Sequence, residues 1–443
     1  STPTAKCGAL LRILGVVFGV AAGVGGMVGQ GILRQPGIVA GAAHSPELIM
    51  ILWLFGGLLV AVSALAYVEL GTAIPCAGGP YDFVRRAFGE VPGVMAGWAG
   101  WLTLAGAMAF MATVVAEFLH RLGVWPGVST PVLAVSVLAL FWAVNWPSTR
   151  VAGDSQVVFS TAKGIGLLAL VVLLFANPAQ PAPAPDPVSG AVGIAGLAIA
   201  MRAIINTYAG WEDTVYHCEE IERPERTLPR AMWTGIASVV ILYLLVNLAL
   251  LQVLSPAEMA ASNLPAADAA QRVLGPIGNL VLTAFGVVSV AAITNLNVMR
   301  SARVAFAMAR QGQLPAKLSC VAPSGTPRWS LSASVIIAAM FAASGTYETI
   351  IAVQVAMNVA LVVTVNIAAM RLRRIDPGLA RPFRIPLYPI PVLIAVAVNL
   401  ALLAALIFED PLNSLAGLGL LIAIGAIYWI VNLTRERAAT PTA

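Results

Sequence analysis

Apolar residues fill long windows of this sequence, and these windows constrain the fold more than any other feature. We count twelve windows of about 20 residues, the length that crosses the roughly 30 Å hydrocarbon core of a bilayer. They lie at residues 12–41, 47–73, 92–119, 130–147, 154–176, 191–217, 230–254, 276–309, 329–345, 348–370, 388–408 and 413–433. Charged residues make up only 10% of the 443 residues, against about 25% in a soluble domain. The sequence predicts an all-α polytopic membrane protein with twelve transmembrane helices.

Basic residues are concentrated on one side of the predicted membrane. With the N-terminus inside, 20 of the 25 Lys and Arg residues fall in cytoplasmic segments, and only Arg121 and Arg272 fall in outer loops. This distribution follows the positive-inside rule. We expect an integral protein of the cytoplasmic (inner) membrane with both termini in the cytoplasm. The net charge of +5 reflects this topology, and the scattered basic residues predict no nucleic-acid partner.

A proline-rich stretch, NPAQPAPAPDPVSG, separates two halves of five windows each. The first window of each half is interrupted, by GVGGMVGQGI at 23–32 and by NTYAGWEDT at 206–214. Paired interruptions in corresponding spans indicate a transporter built from inverted repeats, here a 5+5 repeat with broken helices 1 and 6. The predicted segments are a first repeat at 1–176, an extracellular linker at 177–190, a second repeat at 191–372, two extra helices at 388–434 and a cytoplasmic tail at 435–443.

The two interruptions predict a binding site, because non-helical backbone inside a membrane is tolerated only where it is buried in protein or lines a cavity. The half-helix beginning near Gly31 directs N–H groups and a positive dipole end at the break, which suits a carboxylate. The half-helices ending near Met27 and Ala209 offer carbonyls, which suit an ammonium. The breaks thus predict a receptor for a zwitterion. Gly25 and Gly29 also have the spacing of close helix packing, but the matching break in span 6 favours a site.

Four stretches resemble the amino acid–polyamine–organocation transporter superfamily, which has the leucine-transporter fold. They are MVGQGILRQPG (27–37), AYVELGTAIPCAGGPYDFVRRAFG (66–89), YAGWEDTVYHCEEIERPERTLPRAM (208–232) and RSARVAFAMARQGQLP (300–315). The resemblance implies a secondary transporter that takes up or exchanges amino acids by alternating access. It also implies individual substrate contacts, by position in the matching motifs.

In span 1, the resemblance implies that the N–H groups of Gln30 and Gly31 hold the substrate carboxylate. They belong to a Gly-x-Gly-Ile motif that includes Gly29 and Ile32. The carbonyl of Met27 is implied to hold the substrate amino group. The family often has Ser at the position of Gln30, so the identity of the substrate is open.

In span 6, the resemblance implies that the carbonyls of Asn206 and Ala209 also hold the amino group, and that Gly210 and Trp211 continue the unwound segment. The family usually has an aromatic lid at the position of Asn206. Either Tyr208 or Trp211 takes over the lid, or the pocket is more polar than in the family.

Lys163 is a charged residue inside predicted span 5. A charge there costs about 2.5–3.5 kcal/mol on insertion, so we expect a function, with snorkelling to the cytoplasmic face as the alternative. Related transporters without sodium coupling can have a Lys here, so the resemblance implies an ammonium in place of the sodium ion that ties spans 1, 5 and 8 together. Lys163 is then a proton carrier or a fixed cation, and the scarcity of other acids and bases in the spans favours the carrier. The expectation is sodium-independent proton symport or exchange.

Four further charged residues are candidates for a vestibule or a gate. Arg34 and Arg202 belong on the outer side of the breaks, where they attract anionic substrates or reach the outer interface. Glu69 and Glu220 lie near inner span ends among arginines, and they form an inner gate or a solvated surface.

The sequence has no nucleophile with a base and no Cys or His pair with metal-ligand spacing, so neither an enzyme nor a cofactor is expected. The expected partners are a small-molecule amino acid, the lipid bilayer and, in symport, protons. A polyamine or amine carrier is an alternative that the anion-binding break, Arg34 and Arg202 disfavour. A non-transporting sensor with the same fold is the other alternative, and the intact breaks disfavour it.

Overall fold

The computed structural model describes residues 9–29, 31–177, 193–345 and 347–439 of the chain. All regular elements of these segments are helical. The α-helices are α1 Val16–Met27, α2 Gly31–Ala43, α3 Pro46–Ala73, α4 Pro80–Phe88, α5 Glu90–Arg121, α6 Thr130–Asn145, α7 Thr149–Ala176, α8 Ile194–Tyr208, α9 Pro224–Leu251, α10 Pro256–Ala261, α11 Pro265–Leu274, α12 Pro276–Arg310, α13 Arg328–Ser344, α14 Tyr347–Ile375, α15 Ile390–Glu409 and α16 Pro411–Ala439. Two short 3-10 helices occupy Trp211–His217 and Ala316–Ser319.

Many of these helices are long and apolar enough to cross a membrane. Among the described residues, eight helices qualify by length and composition: α3, α5, α7, α9, α12, α14, α15 and α16. The pair α1 and α2 forms a ninth candidate span, bent by 48° at its break. The apolar helices α6 and α13 are shorter. The chain is therefore an all-helical, multi-pass membrane protein, while the count of twelve spans and the inverted repeat stay predictions.

Three predicted features fall wholly or partly outside the described segments. Gln30, most of the predicted linker at 177–190 and residues 440–443 of the predicted tail are among them. The span 1 site is therefore described from its other residues.

Local sequence signals determine the residues at which several helices begin. Pro46 stands at the first turn of α3, where a missing N–H is no loss, and the Ser45 hydroxyl accepts a hydrogen bond from the Leu48 N–H at 3.2 Å. In α7 the Ser148 hydroxyl accepts from the Val151 N–H at 3.1 Å. These caps satisfy N–H groups that a helix leaves unpaired at its N-terminus.

The two helices of the bent pair lie in the interior of the bundle. Helix α1 packs against α7 and α9, and α2 packs against α8 and α10. Close approach depends on small residues: a Cβ placed on Gly19 of α1 would lie 2.5 Å from the Ala231 Cβ of α9. The first predicted break is thus held by neighbours on several sides, where its free backbone groups can be satisfied.

Candidate substrate site at two broken helices

The first break lies between α1 and α2. Helix α1 ends at Met27, Val28 is extended (φ −71°, ψ 102°), and α2 begins at Gly31. The carbonyl groups left free at the end of α1 find partners on other helices: the Met27 carbonyl accepts from the Tyr243 hydroxyl at 2.7 Å. The predicted role of Met27 toward a substrate amino group therefore depends on the second lone pair of this oxygen.

The second break lies between α8 and the 3-10 helix Trp211–His217. Ala209 is extended (ψ 145°), and Gly210 adopts φ +104°, a conformation that L side chains rarely adopt. The chain therefore leaves the α-helix at the position that the sequence predicted. The Asn206 carbonyl accepts from the Ala209 N–H at a long 3.4 Å, so it is only weakly engaged.

The two breaks touch each other through their backbones. A Cβ on Gly210 would lie 2.6 Å from the carbonyl carbon of Gly26, and a Cβ on Gly26 would lie 2.7 Å from the carbonyl oxygen of Gly210 and overlap the Asp213 carboxylate. A Cβ on Gly31 would lie 3.1 Å from the Thr207 Cγ2. Glycine at Gly26 and Gly210 is a requirement of the contact between spans 1 and 6, and Gly31 lies close to Thr207 without the same constraint.

Lys163 of α7 lies fully buried against the first break. Its ammonium donates to the carbonyls of Gly25 and Val28, which stand before and after the end of α1. The Ser289 hydroxyl of α12 lies 3.4 Å from the same Val28 oxygen. Within the described segments, no carboxylate pairs with this ammonium. The charge is thus compensated by backbone dipoles alone, and it links α7 to the broken span.

A cavity of about 380 Å³ opens beside the second break, between α2, α3, α5, α8, α14 and α15. Of the predicted substrate contacts, Asn206, Ala209 and Trp211 line this cavity. Among the described residues of span 1, the cavity wall includes Gln35 of α2 but not the residues of the break itself. The cavity therefore meets the predicted site from the side of span 6.

Tyr208, one of the two predicted lids, points away from the cavity. Its side chain is fully buried, and its ring packs edge-on against Trp53 and beside Tyr243, with centroids 5.9 Å and 4.9 Å away. Trp211 is the aromatic residue of the pair that lines the cavity, and its ring packs against Tyr67 at 4.8 Å. Gly29 and Ile32 of the first break are buried.

The two predicted vestibule arginines differ in their surroundings. Arg202 lines the cavity and forms an ion pair with Glu409 at the end of α15. Arg34 is exposed on α2. The charge of Arg202 is therefore compensated within the protein, which reduces its capacity to attract anions or to repel cations.

Glu69 and Glu220 are fully buried and engaged by arginines. Glu69 accepts from the Arg373 Nε and from the Ile385 N–H, each at 2.8 Å. Glu220 accepts from the Nε and Nη2 of Arg303 at 2.8 Å and 2.9 Å. Neither residue belongs to a solvated surface.

The ionisation of Glu220 is governed by these contacts. Burial alone would raise the pKa of its carboxyl group. The Arg303 guanidinium and the hydrogen bond from His217 outweigh burial and lower the pKa to about 2. Glu220 is therefore an ionised member of a charge cluster near the start of α9.

Two residues at the breaks, Tyr243 and Asp213, were not found from the sequence. Tyr243 of α9 binds the Met27 carbonyl, and Asp213 pairs with Arg300 of α12, which also donates to Asn297. The acidic pair after Trp211 was a visible signal for Asp213, but the Tyr243 contact joins residues too far apart in sequence to be recognised.

Comparison with known proteins identifies the chain. The sequence profile of the family described as amino acid permease matches residues 9–432. The chain belongs to this family. This permease is 26% identical over 436 residues to the serine/threonine exchanger SteT of Bacillus subtilis, which covers 97% of this chain and 98% of that protein.

Two mammalian relatives extend the comparison. The permease is 27% identical over 441 residues to the mouse b(0,+)-type amino acid transporter 1, covering 96% of this chain and 89% of that protein. It is 31% identical over 336 residues to the rabbit large neutral amino acids transporter small subunit 2, covering 71% of this chain and 60% of that protein. These relatives support amino acid transport as the general activity, and the permease is not an enzyme.

Proposed function

We propose that this permease is a sodium-independent exchanger of amino acids in the cytoplasmic membrane, working by alternating access. The observation that carries the proposal is the Lys163 ammonium on the Gly25 and Val28 carbonyls. It occupies a position at the broken span where, in the resemblance described above, sodium-coupled transporters hold their ion. A second cation at the same carbonyls would face a like charge in a medium of low dielectric constant, which strongly disfavours its binding.

The same geometry favours exchange over proton symport. The ammonium donates to two carbonyls, and its charge strengthens both hydrogen bonds, so loss of the proton would weaken both contacts at once. Lys163 then acts as a fixed cation that ties α7 to span 1. The name of SteT, an exchanger that aligns along nearly the whole chain, supports the same mode.

The substrate site proposed here combines the two breaks. The N-terminus of α2, with the N–H groups of Gln30 and Gly31, is the site for the carboxylate, and the carbonyls of Asn206 and Ala209 are sites for the amino group. The contact between Gly26 and Gly210 supports this arrangement, because it brings the two sets of backbone groups to one place. The N- and C-termini are expected on the cytoplasmic side.

Counterflow in proteoliposomes tests the proposal. Purified permease is reconstituted in vesicles with or without an internal mixture of unlabelled amino acids, and uptake of each labelled amino acid is followed in sodium-free buffer. We expect uptake that requires internal amino acid and is unchanged by added sodium or by an imposed pH gradient. Uptake that needs sodium refutes the role of Lys163, and uptake into empty vesicles driven by a proton gradient replaces exchange by symport.

Two further arms of the experiment address the alternatives. Labelled putrescine, an amine without a carboxylate, reports an amine carrier. Binding of amino acids in detergent without counterflow in vesicles would indicate a sensor. We expect neither result.

A further inference from the structure

Glu212 lies on the cavity wall, and the mechanism proposed above gives its carboxylate no role. It is 8% exposed, and it follows Trp211 at the start of the 3-10 helix. Among the described residues, no hydrogen bond or ion pair reaches its carboxylate, whereas the next residue, Asp213, pairs with Arg300. Its oxygens open onto the cavity, so a ligand that enters the cavity can supply the partner that a largely buried carboxylate normally has.

Nearby cations are already engaged. Arg202, on the same cavity wall, forms an ion pair with Glu409. Arg300 lies within electrostatic range of Glu212, but its two Nη atoms donate to Asp213 and Asn297. Since each of these arginines is paired, the described part of the cavity carries an uncompensated negative charge at Glu212.

The negative charge of Glu212 favours a cationic ligand, and the uncharged groups of the cavity favour a ligand with hydrogen-bond donors. The Oε1 atoms of Gln35 and Gln354 and the hydroxyl of Thr103 are buried without a hydrogen-bond partner, and all three residues line the cavity. The amide and hydroxyl oxygens are acceptors. A ligand that fills this space is therefore favoured if it brings N–H donors and a positive charge.

We propose that Glu212 is a specificity-determining residue that binds the cationic side chain of a basic amino acid, one ending in an ammonium or a guanidinium. The proposal rests on the exchange of amino acids proposed above. The backbone breaks then hold the α-amino and α-carboxylate groups, which every amino acid shares, and the cavity receives the side chain. Its volume of about 380 Å³ lies in the range of small-molecule sites.

The test compares lysine with norleucine, which has the same straight carbon chain without the ammonium, and with cadaverine, which lacks the carboxylate. Dissociation constants are measured by isothermal titration with the purified full chain, wild type and Glu212→Gln. Glu47→Gln is the matched control, because Glu47 is an exposed residue in the first turn of α3. Thermal unfolding verifies that each variant is folded.

We expect the wild type to bind lysine at least about tenfold more tightly than norleucine, the difference that a charged hydrogen bond provides. Glu212→Gln should weaken lysine binding by about tenfold or more and change norleucine binding by less than about threefold, and Glu47→Gln should change neither. Equal wild-type affinities for lysine and norleucine, or an equal loss of both in Glu212→Gln, would overturn the inference.

The outcomes separate this inference from the function on which it rests. Tight norleucine binding with no preference for lysine leaves amino acid exchange intact and rejects only the role of Glu212. Binding of cadaverine in the absence of binding of either amino acid rejects the proposed function itself. If Glu212→Gln does not fold, the wild-type comparison of lysine with norleucine decides alone.

Discussion

Replacing Gly210 by Ala tests the contact between the two breaks. A Cβ at this position would lie 2.6 Å from the Gly26 carbonyl carbon, whereas ordinary contacts begin at 3.4 Å, so the backbones must separate by roughly 0.8 Å. The φ of +104° adds strain, because a left-handed conformation costs a residue with a Cβ about 1–2 kcal/mol. Overpacking of a tight interior costs about 1–3 kcal/mol. We therefore expect Gly210→Ala to destabilise the permease by about 2–5 kcal/mol.

The assay pairs thermal unfolding of the purified protein with counterflow in vesicles. Gly164→Ala is the control, since a Cβ there meets no atom within 4 Å although it adjoins Lys163 on α7. The control should keep transport and gain up to about 1 kcal/mol of stability from helix propensity. Separation of the breaks should leave Gly210→Ala unstable and inactive. A Gly210→Ala protein that unfolds at the wild-type temperature and exchanges at the wild-type rate would refute the contact.

Three other substitutions test separate parts of the site. Gly31→Leu should abolish amino acid binding in titration, because its side chain would press on Thr207 and fill the space before the helix N-terminus; near-normal affinity contradicts the assignment. Lys163→Met should lower stability by about 1–3 kcal/mol in thermal unfolding, since it removes the ammonium from the Gly25 carbonyl and leaves the Val28 carbonyl only the Ser289 hydroxyl at 3.4 Å; wild-type stability contradicts the fixed-cation role. Glu220→Gln should lose about 3 kcal/mol at neutral pH. The folded pKa of about 2 lies below the ordinary 4.5, so this contribution is full above pH 4.5 and disappears as the pH falls through 2; a difference between wild type and variant that does not narrow with acid contradicts it.

The fold was predictable to the extent that hydrophobicity and glycine content determine it. Long helices such as α3 and α9 coincide with apolar windows because a bilayer span must satisfy its own backbone. The end of α1 at Met27 and the left-handed Gly210 fall within the glycine-containing interruptions. Helices α6 and α13, only 16 and 17 residues long, also begin and end within two residues of their predicted windows at 130–147 and 329–345.

The site was predictable where backbone groups form the contacts. It was less predictable where contacts join residues that are far apart in the sequence. The cost of a charge inside a span marked Lys163 as a functional candidate, and the family resemblance implied its place beside span 1. The Tyr243 hydroxyl on the Met27 carbonyl joins residues 216 positions apart, and no local pattern indicates such a contact. Glu212 looked like its neighbour Asp213 in the sequence, and only the structure separates the paired carboxylate from the unpaired one.

The buried ion pairs on the predicted cytoplasmic side bear on how such a chain can alternate between states. Glu69 joins α3 to Arg373 of α14, and Glu220 joins the segment before α9 to Arg303 of α12. Removing one partner of a buried pair costs about 3–5 kcal/mol, yet the complete pair contributes little net stability because desolvation offsets its attraction. Such pairs select one arrangement of these helices without holding it strongly. When both partners return to water together, the loss is small, so an exchanger can open this side at a cost that substrate binding is able to offset.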